Sequence, residues 1–223
     1  VMDSECQRVA ENVIHRHFPD HSILGEEGCS ATEHKTEWII DPIDGTANYS
    51  RGLPSWCCSV AVRHGGNVLA GCVFVPLLNE CYSASADGPA LCNGSPIHVS
   101  HVPTLTQSIF FTGLTKDIDP RSLLLFKDAA PQVNKIRLIG SAAMDICHVA
   151  CGRSDAYFEP GIYIWDIAAA RLIAERAGAL CSVWPREEEY GLRFLCTNPQ
   201  IHTAARKLVE KHFPAPAEKS PEG

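Results

Sequence analysis

The sequence lacks a cationic excess, an apolar run of membrane-spanning length, an internal repeat and an even set of cysteines, and each absence excludes something. Nineteen lysines and arginines stand against 26 aspartates and glutamates, for a formal net charge of −7. The surface as a whole therefore gives nucleic acid no electrostatic reason to bind, and an anionic ligand needs a local source of positive potential. The apolar stretches around Val68 to Leu78 are interrupted by Gly71, Cys72 and Pro76, too short to cross about 30 Å of hydrocarbon. Cysteine is plentiful, but the count of 11 is odd and Cys57 and Cys58 are adjacent. That argues against a fully paired secreted framework and for a reducing, cytoplasmic setting. The chain starts at Val1 and passes straight into a helical pattern, without the regions of a secretory signal.

What is there is an ordinary folded composition: 223 residues, 45% hydrophobic and 20% charged. At about 150 residues per domain this means one large domain or two small lobes sharing a core. Asp3 is a plausible N-cap for an amphipathic helix carrying Cys6, Val9, Ala10, Val13 and His17 and ending at Phe18-Pro19. Ile23-Leu24-Gly25 and Trp38-Ile39-Ile40-Asp41 have the continuous apolar character of strands buried on both faces. From Trp56 to Asn93, β-rich runs separated by Gly65-Gly66-Asn67, Pro76 and Asp87-Gly88-Pro89 predict an antiparallel meander. The second half alternates: strand Ser108 to Thr112, helix Arg121 to Ala129, strand Lys135 to Ile139, helix Ser141 to Cys151, strand Ala156 to Glu159, helix Asp166 to Ala177. Strands Leu180 to Trp184 and Leu192 to Cys196 and helix Pro199 to Lys211 complete an α/β layer. The expected organisation is a single domain over 1–212, with a metal-binding lobe over 1–130 and an α/β lobe over 131–212, and a disordered tail over 213–223 rich in Pro, Glu and Lys.

Acids follow apolar strands at three separated places: Gly25-Glu26-Glu27, Asp41-Pro42-Ile43-Asp44-Gly45-Thr46, and Trp165-Asp166. A carboxylate at a buried strand end is costly without a cation or hydrogen bonds. Several in one place call for a metal, and aspartate and glutamate without attendant histidine suit Mg²⁺ better than Zn²⁺. Within the hexapeptide, Pro42 is expected to stop the strand so that Asp41 and Asp44 face one site across a tight turn. A short helix starting near Thr46 would present free N–H groups to a phosphate without any lysine or arginine.

The run Trp38 to Tyr49 and the run Gly161-Ile162-Tyr163-Ile164-Trp165-Asp166-Ile167-Ala168-Ala169-Ala170, with Gly25-Glu26-Glu27 ahead of them, resemble the inositol monophosphatase family of Mg²⁺-dependent phosphatases. Two such motifs in this order, about 120 residues apart, are a specific pair. The resemblance runs from Asp3 to His212. It implies an αβαβα sandwich of the inositol monophosphatase and fructose-1,6-bisphosphatase type, two or three Mg²⁺ ions and sensitivity to lithium. Glu26, Asp41 and the Ile43 carbonyl are implied for one ion, and Asp41, Asp44 and Asp166 for a second. Thr46 matches the threonine that orients or deprotonates the attacking water, and Asp3 the acid that partners it. The N–H groups of Gly45 and Thr46 would grip the phosphate. Gly140, Ser141 and Ala142, with Glu159 and Asp166, match the segments that contact the substrate alcohol.

The implied activity is hydrolysis of a small polyol phosphate, foremost inositol monophosphate, by a homodimer without nucleic-acid or membrane partners. Fructose 1,6-bisphosphate, histidinol phosphate and 3′-phosphoadenosine 5′-phosphate are alternatives within the same fold. Family members also carry, ahead of the point matching Val1, a helix and a strand pair that bring a lysine and a loop toward a third metal position. A chain without that segment has a further alternative: a catalytically silent metal- or phosphate-binding protein, or a dimerisation module. Cys147-His148 and Cys151 read as core packing rather than a zinc site, Arg137 as structural or a subunit contact, and Glu187-Glu188-Glu189 as a solvated loop between strands.

Overall fold

Among the described residues two sheets carry the fold, one of eight strands and one of five, with helices outside and between them. The structure is a computed structural model and describes residues 2–29, 34–114 and 119–215. The first half comprises α1 (Met2–His17), β1 (Ser22–Gly25), β2 (Gly28–Cys29), β3 (Thr36–Asp44), α2 (Thr46–Ser50), β4 (Cys57–His64), β5 (Asn67–Val75), β6 (Glu80–Ser85), β7 (Leu91–Cys92) and β8 (Ser95–Pro96). The second comprises β9 (Ile109–Thr112), α3 (Pro120–Ala129), β10 (Lys135–Arg137), α4 (Ala142–Ala150), β11 (Ala156–Tyr163), α5 (Ile164–Arg176), β12 (Leu180–Pro185), β13 (Gly191–Thr197) and α6 (His202–Glu210). The strand orders are β2-β1-β3-β4-β5-β6-β7-β8 and β10-β9-β11-β13-β12.

Burial sorts these elements into five layers. On the outer face of the first sheet, Ile14 of α1 packs with Ile23 and Ile40, flanked by Trp38 and Val60. Between the sheets lie α4 and α5, whose Ile146, Ala169 and Ile173 join Val73 and Tyr82 of the first sheet to Tyr157 and Phe194 of the second. Outside the second sheet, Leu125 of α3 and Leu208 and Val209 of α6 cover Phe110, Phe158 and Leu195. The order is αβαβα, as the resemblance implies. No helix among the described residues is long and apolar enough to cross a membrane.

The approach of α5 to the first sheet depends on Gly71, because a Cβ there would lie 2.7 Å from the Cα of Ala169. Backbone cannot give way as a flexible side chain would. Gly71→Ala is therefore expected to cost about 1–3 kcal/mol of overpacking and to lower the thermal midpoint by roughly 2–12 °C, measured by circular dichroism. A midpoint equal to that of the parent would show that α5 is not seated against β5.

Several expectations need correction. Pro42 does not end its strand: β3 runs on to Asp44, and its register against β4 shifts between the pairs Asp41 with Ser59 and Asp44 with Cys57. The extra residue is absorbed as a bulge, where a proline without an N–H is tolerated. Asp3 is not the N-cap, since α1 already includes Met2 and holds Asp3 in its first turn. Phe213, expected to open the tail, is 2% exposed and packs in the outer core, with the guanidinium groups of Arg121 and Arg193 over its ring at 4.9 and 5.6 Å from the centre. The rest of the expected tail beyond residue 215 lies outside the described residues. The boundary expected at residue 130 also moves: β9 and α3 belong with the second sheet, which recruits chain from Ile109 onward.

Candidate active site

Three carboxylates from different elements meet where the sheets and inner helices converge. Asp41 and Asp44 come from the bulged end of β3, and Asp166 from the first turn of α5. One oxygen from each lies within 4.8 Å of the others. The bulge explains the first two, because an inserted residue turns both side chains toward one side where regular alternation would separate them. Asp41 and Asp44 are 1% and 7% exposed, so the acids meet in a setting that opposes their charge.

The electrostatics follow from that burial. Asp41 is pushed well above the ordinary carboxylate range by burial and then by the charges of Asp44, Asp166 and Glu26. Asp166 is raised by burial and by Asp44, against the opposing hydrogen bond from the Tyr163 N–H at 2.7 Å. Asp44 is also raised by burial, but four donors oppose the shift. The Ser141 hydroxyl donates to Oδ2 at 2.8 Å, the N–H groups of Ala142 and Ala143 donate at 3.1 and 2.7 Å, and the Cys57 thiol points at Oδ2 from 3.5 Å. Asp44 thus caps α4 from a strand nearly a hundred residues away in sequence, and the free N–H groups of that helix steady its charge. A cluster of hard oxygen donors, buried, mutually repelling and held in place by hydrogen bonds, is a fit site for a hard divalent cation.

Glu26 sits at the rim. Its carboxyl shares a hydrogen bond with Asp41 and is raised by burial and by the charges of Glu27, Asp3 and Asp44. Ile43 donates its N–H to Asp41 at 3.1 Å, while its carbonyl accepts the Thr46 hydroxyl at 3.0 Å. No hydrogen bond joins Asp3 to Thr46 among the described residues: the Thr46 hydroxyl donates to Ile43, the charge of Asp3 reaches Glu26, and the buried Oδ1 of Asp3 has no hydrogen-bond partner. Gly45 adopts φ 92° before α2, and a Cβ there would lie 2.9 Å from the Ser55 carbonyl. Gly140 also has a left-handed φ, 85°. Glu159 stands apart from the triad on β11, half-buried and raised to about 7 by burial, with Asp44 adding and Tyr157 opposing. The residues expected to touch substrate, Ser141 and Ala142, here serve Asp44.

Sequence reasoning passed over several supporting residues. Asn48 donates to the carbonyls of Ser55 and Ile139 at 2.7 and 2.8 Å, tying α2 to the approach to α4. The Tyr157 hydroxyl donates to Glu159 Oε2 at 2.5 Å. A Cβ on Gly113 would run into the Glu159 carboxylate, so a larger residue there would displace that carboxylate. Tyr157 had a readable signal, two residues from Glu159 and hence on the same strand face. Cys57 had none. Asp145, buried on α4, is raised to about 9 by burial and by Asp44 and Glu159.

This is a five-layered α/β protein with an acidic, cation-seeking cluster at the junction of its two sheets. The model of the inositol monophosphatase family matches residues 1–220, and the chain belongs to that family. It is 41% identical over 180 residues to the protein named Nus factor SuhB of Xylella fastidiosa, covering 79% of this chain and 66% of the relative. Against the chloroplastic phosphatase IMPL1 of Arabidopsis thaliana it is 35% identical over 226 residues, covering 96% of this chain and 60% of the relative. The chain thus spans less than two thirds of the length of these two relatives. The solved inositol monophosphatase of Anabaena superposes with a TM-score of 0.85 at 34% identity, covering 94% of this chain and 86% of that one.

Proposed function

We propose that the chain is a Mg²⁺-dependent phosphomonoesterase acting on a small polyol phosphate, with inositol monophosphate the leading substrate. The observation that carries this reading is the convergence of Asp41, Asp44 and Asp166 on one point despite their mutual repulsion. Those three, with Glu26 and the Ile43 carbonyl, would hold the metal. When bound, Mg²⁺ acidifies water and neutralises the charge of the phosphate and the departing alkoxide. The chain's own groups do the rest. The N–H groups of Gly45 and Thr46 open α2, where helical geometry leaves them without intrahelical acceptors, and they face the phosphate. The Thr46 hydroxyl donates to the Ile43 carbonyl, which leaves its lone pairs to accept from the attacking water. Glu159, ionised, accepts from a substrate hydroxyl.

Tyr157 and Gly113 position Glu159 without touching substrate. Tyr157→Phe is expected to raise KM for a polyol phosphate by about 2–10-fold, the worth of one hydrogen bond. It should leave KM for an aryl phosphate without ring hydroxyls unchanged. Equal effects on both substrates would show that Glu159 does not contact the alcohol.

The test of the reading is phosphate release from inositol 1-phosphate, fructose 1,6-bisphosphate, histidinol phosphate and 3′-phosphoadenosine 5′-phosphate, with Mg²⁺ and with EDTA. Expected is Mg²⁺-dependent turnover, fastest on inositol 1-phosphate. Turnover that persists in EDTA would overturn the metal mechanism, and a different fastest substrate would reassign the specificity. A relative named as a Nus factor shows that this family carries names other than phosphatase. The intact acidic triad is what favours hydrolysis here.

A further inference from the structure

We propose that Asn48 is a positioning residue for phosphate release: its side-chain amide clamps the turn Gly45-Thr46-Ala47 to the segment 139–143 and so holds the phosphate-facing groups in place beside the acidic triad. The role rests on the phosphatase reading of this site and adds to it a residue that acts through others. Asn48 is half-buried, and its Nδ2 donates to the carbonyls of Ser55 at 2.7 Å, Ile139 at 2.8 Å and Gly140 at 3.3 Å. A side-chain amide has two N–H donors, so both are engaged. The backbone carbonyl of Asn48 accepts the N–H groups of Arg51 at 3.1 Å and Leu53 at 3.0 Å, which folds the loop after α2 back onto it.

The turn is pinned at both ends to one stretch of chain. Asp44, immediately before it, accepts from the Ser141 hydroxyl and from the Ala142 and Ala143 N–H groups. Asn48, immediately after it, donates to the Ile139 and Gly140 carbonyls. Between the pins lies Gly45 with φ 92°, in a region that glycine visits freely and other residues rarely do. Without the second pin that glycine is a hinge. Packing points the same way: a Cβ on Gly45 would lie 2.9 Å from the Ser55 carbonyl oxygen and 3.1 Å from that of Gly140, the same two oxygens that the Asn48 amide holds. Gly45 therefore rests against a wall that Asn48 secures.

The consequence falls on kcat. Thr46, whose hydroxyl lies 3.0 Å from the Ile43 carbonyl, and the N–H groups of Gly45 and Thr46 all belong to the pinned turn. Releasing the Asn48 pin lets them drift relative to the phosphate. The acids stay where they are, because Asp41 accepts from the Ile43 N–H, Asp44 from its donors on α4, and Asp166 from the Tyr163 N–H. A displacement on the order of 1 Å among groups that surround a reacting atom costs about 10²-fold in rate.

The experiment compares the full chain with Asn48→Ala and Asn48→Asp, each assayed well below its thermal midpoint. It reads steady-state phosphate release in Mg²⁺ from the parent's fastest substrate among the four phosphates above, and separately the rise in thermal midpoint on adding Mg²⁺ without substrate. Asn48→Asp keeps the size of the side chain but turns acceptor oxygens toward three carbonyls, which separates loss of donors from loss of bulk. Both variants are expected to lose about 10–100-fold in kcat, with KM near the parental value and the Mg²⁺-induced rise in midpoint equal to that of the parent. Parental kcat in either variant overturns the role of Asn48, as does a change confined to KM. Loss of the Mg²⁺-induced rise also overturns it, because the effect would then lie on the metal ligands. If the aspartate variant does not fold, the alanine variant decides by the same criteria. No release by the parent from any of the four phosphates sinks the phosphatase reading and this role with it; release by the parent that the variants match sinks the role alone.

Discussion

Asp44→Asn is expected to lower kcat/KM for phosphate release at least about 10³-fold, about 4 kcal/mol of transition-state stabilisation, while the chain stays folded. The two halves of this expectation have separate causes. Activity falls because the amide cannot supply the charge that a divalent cation needs beside Asp41 and Asp166. The fold survives because asparagine is as good a helix cap as aspartate. Its carbonyl oxygen can stand in for Oδ2 and keep the bonds from the Ala143 N–H and the Ser141 hydroxyl, so that only the Ala142 N–H, which now donates to Oδ1, loses its acceptor. Asp44→Ala provides the contrast. It strands the same donors at a buried helix end, at about 1–3 kcal/mol, and should lower the thermal midpoint as well as activity. Near-parental turnover by Asp44→Asn would remove the metal centre from the mechanism.

The second large effect is on stability. In EDTA, the thermal midpoint is expected to fall as pH rises from about 5 to about 8; in saturating Mg²⁺ this loss should shrink or reverse. The sign follows from the three acids. Burial raises Asp41, Asp44 and Asp166 above the ordinary carboxylate range, and for Asp41 and Asp166 neighbouring acids add to it. An unfolded chain releases these protons near pH 4. Between that pH and the raised native values, the folded state holds more protons than the unfolded one, so stability declines as pH increases. Mg²⁺ competes with those protons for the same oxygens and binds the ionised folded cluster. At a hundredfold excess over its Kd it should add about 2.7 kcal/mol, or roughly 5–11 °C. Differential scanning fluorimetry across pH, with EDTA and with Mg²⁺, reads both slopes. Coincident curves at every pH would show that the carboxylates do not form a cation site.

The site was legible in the sequence to the extent that its chemistry is local. Asp41, Asp44 and Asp166 each follow an apolar run, and the cost of leaving such acids buried without a counter-charge identified them before any coordinates. Short-range patterning likewise placed the meander from β4 to β7, the inner helices α4 and α5, and the short α2 after Gly45. It erred where a local rule meets a nonlocal exception. Proline is a strand breaker in isolation, yet Pro42 sits inside β3 because the bulge against β4 needs no N–H from it.

By itself the sequence determined which residue types could assemble a cation site and which stretches would be strands or helices, since periodicity, turn residues and desolvation cost act over a few residues. Only the tertiary structure decided what each acid does. Asp44 became the cap of α4, Tyr157 the donor that holds Glu159, and Asn48 the tie between α2 and the segment before α4. Each of those roles is set by strand register and helix placement, and hydrogen bonds that close over a few ångströms are decided by where the backbone lies, not by how near two residues stand along the chain.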